Sequence, residues 1–186
     1  MKPVIGRITT TFAEPRPLSK PPELRNHCHG AIDIAAPVGT PIHCPETGTV
    51  WAWCAFRDKF DTLWPEMPEP NAWPNPWCNY FYDTFGTILL VHSQDGKRTH
   101  IIAHSFCNQI FNKGIFKRTE YIEEKGDTRF PLHALYTPQQ QFPEGALIGY
   151  VGNAGFSTGP HCHWEIHHGV QWNIWENRIN PERWEV

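Results

Sequence analysis

The 186-residue chain is first defined by what it lacks. It has no apolar run of membrane-spanning length, so insertion into a membrane is not expected. It has no cluster of basic residues, and its net charge of -3 gives no footprint for electrostatic capture of nucleic acid. The opening ten residues, Met1 to Thr10, lack the apolar core and small-residue cleavage site of a secretory signal. No Cys-x-x-Cys pair occurs among the cysteines at 28, 44, 54, 78, 107 and 162. Many disulfide pairings are open to them, and they are read as small buried hydrophobes of a reducing compartment. No repeat, low-complexity tract or long stretch of helical period is found.

What is present is a globular composition: 40% hydrophobic, 13% aromatic, with nine Trp. The length suits one compact domain, residues 1–186. Short β-rich segments punctuated by Gly and Pro are expected as strands at Ala31–Ile34, Gly48–Trp53, Gly86–His92, Thr99–His104, Leu147–Val151 and His161–His167. Ser93-Gln94-Asp95-Gly96-Lys97 reads as a hairpin turn. The fold class is therefore mainly β, an antiparallel sheet. Two loop-rich excursions interrupt it. Residues 54–85 carry five Pro and three Trp, and residues 105–143 are more polar, with room for a short helix. Both are read as insertions, because the flanking strands are too short to stand alone.

Three places carry chemistry. In an extended His29-Gly-Ala-Ile-Asp33, side-chain alternation puts His29 and Asp33 on one face and Ile32 and Ile34 on the other. An imidazole beside a carboxylate is a natural pair of metal ligands, although such a spacing alone is weak. In His161-Cys-His163-Trp-Glu165-Ile the same alternation aligns His161, His163 and Glu165 opposite Cys162, Trp164 and Ile166. Three aligned polar groups need partners or a metal if buried. The third is His104, closing the apolar segment Thr99–His104, which by itself reads as a strand-end histidine.

Together the stretches HGAIDIAAPVGTP, IIAHS and IGYVGNAGFSTGPHCHWEI resemble the lysostaphin/LytM-type zinc metallopeptidases. Their pattern is His-x-x-x-Asp, a His closing a middle strand, then His-x-His after Ser-Thr-Gly-Pro. Gly48-Thr-Val, Asp95-Gly96 and Ile179-Asn-Pro add to it, and the resemblance runs from about Ile8 to Trp184 outside the two insertions. It implies the sheet core of that type, one zinc ion held by His29, Asp33 and His163, and His104 and His161 as catalytic histidines. Departures lie beside the ligands: the family usually has Gly where Ala31 stands, often Tyr at Ile102, and often Leu and Phe at Cys162 and Trp164. None removes a ligand.

The implied reaction is hydrolysis of peptides in bacterial peptidoglycan, at the D-Ala to diamino acid cross-link or in a glycine-rich bridge. Three protein ligands leave a zinc position for water, which marks a catalytic site. His161 is assigned as general base and His104 as oxyanion stabiliser, roles the sequence does not separate. Glu165 can orient a ligand or be an ordinary strand Glu. A rival site of soft ligands from His27, Cys28, His43 and Cys44 is conceivable, and His100, His133, His167 and His168 are read as surface or structural. The Trp- and Pro-rich excursion can wall a groove or cover a sheet edge. Action on the cell wall, in the periplasm or outside the cell, is expected. Without a visible signal, a phage lysis or tail enzyme or a delivered effector fits. The alternative is a catalytically weak member that docks the wall or a partner. Oligomeric state is not legible.

Overall fold

The computed structural model describes residues 1–15, 28–56, 87–105, 122–125, 132–136, 139–153, 157–170 and 175–184. Most of residues 54–85, together with His27, Cys78, Cys107 and Lys117-Arg118, lies outside them.

Twelve strands occur among the described residues: β1 Arg7–Thr10, β2 Ile32–Ala35, β3 Pro41–His43, β4 Gly48–Phe56, β5 Thr87–Ser93, β6 Arg98–Ser105, β7 Ile122–Lys125, β8 Leu132–Tyr136, β9 Gln140–Phe142, β10 Leu147–Tyr150, β11 His161–His168 and β12 Arg178–Ile179. A ten-stranded sheet runs in the order β1-β2-β11-β6-β5-β4-β8-β7, with β12 on β11 and β9 on β4, while β10 and β3 form a separate pair. Every pairing is antiparallel. All six expected strands occur, with ends shifted by a residue or so, except that β4 continues to Phe56. Residues 105–143 contribute β7, β8 and β9 to the sheet, and no helix is found among the described residues there.

Local chemistry explains the hairpin between β5 and β6. Ser93 Oγ donates to Asp95 Oδ1 at 2.7 Å, and the Lys97 amide donates to the same carboxylate at 3.0 Å. Gly96 takes φ +69°, a left-handed turn that glycine adopts without steric cost.

The sheet has two unlike faces. One carries the main core, with Ile32, Ile34, Val50, Leu89, Val91, Ile102, Trp164 and Ile166 all buried. Each comes from alternate positions of a strand, so their neighbours face the other way. On that second face the register sets Glu165 beside Ile101, Ile101 beside Leu90 and Leu90 beside Trp51. Ile88, Leu90 and Ile101 are buried there with Trp51 packed against them. A polar cluster thus meets an apolar floor on one face of the sheet.

Candidate metal centre

Neighbouring strands supply the cluster. β11 pairs with β2 so that His163 stands opposite Asp33, and with β6 so that His163 stands opposite Ala103. Cross-strand partners share a face, which brings groups 130 residues apart into contact. His163 Nδ1 lies 3.0 Å from Asp33 Oδ1, and His29 Nε2 lies 3.3 Å from the same oxygen. His29 precedes β2 and is held by backbone pairing: Ala13 N–H donates to its carbonyl at 2.7 Å, and its own N–H donates to the Glu14 carbonyl at 2.9 Å. Its Nδ1 faces the Thr11 carbonyl at 3.4 Å, leaving Nε2 for the cluster.

His104 arrives by a different device. By strict alternation it would follow His100 and Ile102 onto the core face. Between the pairs Leu89–Ile102 and Thr87–Ser105, β6 spends one more residue than β5. That bulge, with His104 at φ +60°, turns the ring to the other face. There its centroid is 4.6 Å from His161 and 5.7 Å from His163. A non-glycine residue in the left-handed region is strained, and such strain gathers at functional sites.

His161 is oriented by backbone. Its Nδ1 donates to the Gly159 carbonyl at 2.7 Å, with Ser157 Oγ at 3.1 Å. Nε2 is left as the acceptor and lies 3.7 Å from Asp33 Oδ1. Burial pushes the His161 pKa down, which keeps the imidazole unprotonated and uncharged near neutrality. Burial would raise the Asp33 carboxyl, but hydrogen bonds from His163 and His29 outweigh it and hold it well below the carboxylate range.

Behind His163 sits Glu165, 3% exposed. His163 Nε2 donates to its Oε1 at 3.0 Å, while its Oε2 accepts from His167 Nε2 at 2.7 Å and Arg178 Nε at 3.2 Å. Burial opposes ionisation of Glu165, but these partners prevail and its pKa falls far below normal. For His163, burial likewise lowers the pKa, and the carboxylates of Asp33 and Glu165 on its two nitrogens overcome this, raising it to about 9.

Zinc suits this donor set. His29, Asp33 and His163 offer one ligand atom each, all within 4.8 Å of one another. Nitrogen and oxygen ligands about 2.0–2.1 Å from a tetrahedral zinc lie about 3.4 Å apart, close to the separations from Asp33. This is the one such group among the described residues; His43 instead faces the Gly145 carbonyl, and the buried Cys44 thiol donates to the Glu46 carbonyl. The rival soft-ligand site is therefore not assembled by Cys28, His43 and Cys44, its members among the described residues. Of the other histidines, His168 is exposed, while His100 and His167 are buried and hydrogen-bonded. The side chain of His133 lies outside the description.

Sequence reading left Glu165 open, carried Ser157 only as part of the Ser-Thr-Gly-Pro motif, and missed Arg178 and the carbonyls of Thr11 and Gly159. Only Ser157, in a Ser-Thr-Gly turn, carries a local signal.

No protein-family model matches the chain, and no curated protein matches it. Among solved structures it is similar to the catalytic domain of the antimicrobial peptidase lysostaphin from Staphylococcus simulans, with TM-score 0.51 and 17% identity over 95% of this chain and 90% of that one. It is similar to a zinc-containing peptidase from Vibrio cholerae, with TM-score 0.51 and 18% identity, all of this chain spanning 39% of that one. LytU gives TM-score 0.50 and 21% identity over 95% of this chain and 81% of that one. The fold is therefore of the lysostaphin/LytM type, as the motifs implied.

Proposed function

We propose that this chain is a zinc-dependent endopeptidase that cuts peptide bonds in bacterial peptidoglycan. The observation that carries the reading is the convergence of His29 Nε2 and His163 Nδ1 on Asp33 Oδ1, with the rings of His104 and His161 against them. Two imidazole nitrogens and one carboxylate would make a catalytic rather than a structural zinc set, since three protein ligands would leave a position for water.

A zinc ion held there supplies Lewis acidity, lowering the pKa of water toward about 7 and polarising a carbonyl. The chain's own residues supply the proton traffic. His161, with Nδ1 committed to Gly159, has Nε2 free to accept a proton and hand it to the departing amine. His104, turned to the same face, is placed to donate to a developing oxyanion. Glu165 fixes the proton of His163 on Nε2 and so presents Nδ1 as the ligand atom.

Peptidoglycan as substrate rests on the sequence motifs and on the fold shared with lysostaphin, and it sets the place of action at the cell wall. The bond is the D-Ala to diamino acid cross-link or one within a glycine-rich bridge. Digestion of purified peptidoglycan with and without chelator, followed by mass spectrometry of the fragments, tests both points. Chelator-sensitive release of free amino groups is expected, and its absence from every wall type overturns the enzyme reading. His29→Ala, Asp33→Ala and His163→Ala are expected to lose zinc, whereas His104→Ala and His161→Ala keep it and lose activity. Loss of stoichiometric metal in the second pair overturns the division of roles.

A further inference from the structure

The two histidine ligands come from different parts of the chain, and one side chain touches the surroundings of both. Arg178, the first residue of β12, stands opposite His167 in the pairing with β11. Its Nε donates to Glu165 Oε2 at 3.2 Å, and Glu165 Oε1 in turn accepts from His163 Nε2 at 3.0 Å. The same side chain lies over Gly30, the residue after His29. A Cβ built on Gly30 would fall 2.6 Å from both Cδ and Nε of Arg178 and 2.9 Å from its Cζ. Gly30 is therefore bare because the arginine stem occupies that space, and its backbone is not in the left-handed region that would itself demand glycine.

Glu165 needs that neighbour. It is buried, and with Nδ1 of His163 given to a metal the imidazole keeps one proton and brings no formal charge. His167 offers Glu165 a single N–H at 2.7 Å. Arg178 brings a permanent cation, and a buried carboxylate stripped of its cation is costly. We infer that Arg178 is a positioning residue for the metal centre: it holds Glu165 behind His163 and packs on Gly30 beside His29, setting both histidine ligands with one side chain. The inference rests on the metal-site reading above and concerns residues outside the ligand set.

Zinc affinity of the full chain, measured by competition with a chromophoric chelator, tests it through four proteins. Wild type is expected to take up one zinc ion. Arg178→Met, which keeps the length and loses the charge, should bind zinc up to about 10-fold more weakly, the low end of the loss seen for a ligand's own hydrogen-bond partner, because Arg178 acts on His163 through Glu165. Gly30→Ala should weaken binding in the same direction, because its methyl displaces the far end of a flexible side chain from Glu165. In the Arg178→Met background, Gly30→Ala should cost less than in wild type, since the Arg178–Glu165 contact it breaks is already gone and only the packing over Gly30 is left to disturb. A general loss of stability would not produce that non-additivity, and thermal melts of each apo-protein separate the two effects. Wild-type affinity within about two-fold in either single variant overturns the inference, as does an equal effect of Gly30→Ala in both backgrounds. Should Arg178→Met not fold, Arg178→Lys replaces it, and Gly30→Ala alone still decides. A wild-type chain that takes up no zinc overturns the metal-site reading itself.

Discussion

Replacing Glu46 with Gln perturbs a partly buried charge on the core side of the sheet, away from the candidate metal centre. Arg98 grips the carboxylate in two-pronged fashion, with Nε 3.0 Å from Oε1 and Nη2 2.8 Å from Oε2. His100 Nε2 donates to Oε1 at 2.5 Å while its Nδ1 accepts from the Trp164 indole at 3.1 Å. Burial opposes ionisation of Glu46, yet His100 and Arg98 together draw its pKa from 4.5 down to about 2. A fall of that size corresponds to about 3 kcal/mol of folding stability. Because the side chains of Glu46 and Arg98 are 14% and 26% exposed, solvent screening trims this to about 2–3 kcal/mol. The sign follows from a carboxyl depressed in the folded state. The stabilisation is complete above pH 4.5, the unfolded value, and is lost as pH falls through about 2. Glu46→Gln keeps the shape and removes the charge. Urea denaturation of both proteins across pH 3–7 should show the variant less stable by about 2–3 kcal/mol at neutral pH, with its melting temperature about 5–10 °C lower. The gap should narrow below about pH 4.5. Titrating groups that do not touch Glu46 are common to both proteins and cancel in the difference. His100, whose ring donates to Glu46, does not, and its charging adds to the gap as pH falls below the unfolded value of 6.5, before the Glu46 contribution fades. A gap that stays constant from pH 7 to 3, or one under about 0.5 kcal/mol throughout, refutes the argument.

At His104, with φ +60°, glycine should be the better replacement: His104→Gly is expected to be about 1 kcal/mol more stable than His104→Ala in chemical denaturation, the reverse of the order in an ordinary strand. Gly48→Ala should destabilise by about 1–3 kcal/mol or more, since the new Cβ would lie 2.1 Å from the His92 carbonyl oxygen, which is backbone and cannot swing aside; a denaturation midpoint within error of wild type would contradict this. Trp164→Phe leaves His100 Nδ1 buried without its donor and opens a small cavity, together about 2–4 kcal/mol by the same assay, even though an aromatic ring is retained.

What the chain determined locally is what a period of two can express. The alternation of His161, His163 and Glu165 with Cys162, Trp164 and Ile166 could be read from residue order, and the structure places the second set in the core. The hairpin at Ser93–Lys97 was equally legible, because its carboxylate and glycine act on their own neighbours. The choice of the five candidate residues came from motif order, and neither periodicity nor composition supplied it. Tertiary structure decided the rest. The register that sets Asp33 opposite His163 belongs to the pairing of two strands and to neither alone. His104 would lie on the core face by alternation, and only the bulge opposite β5 brings it round. His29 is oriented by the backbone of Ala13 and Glu14, atoms that every residue possesses and that leave no mark in the sequence. Arg178 looked like any surface arginine until β12 docked on β11, because the partner that gives its charge a role, Glu165, is reached through space. Local propensity is written residue by residue, whereas register, bulges and buried ion pairs exist only between segments.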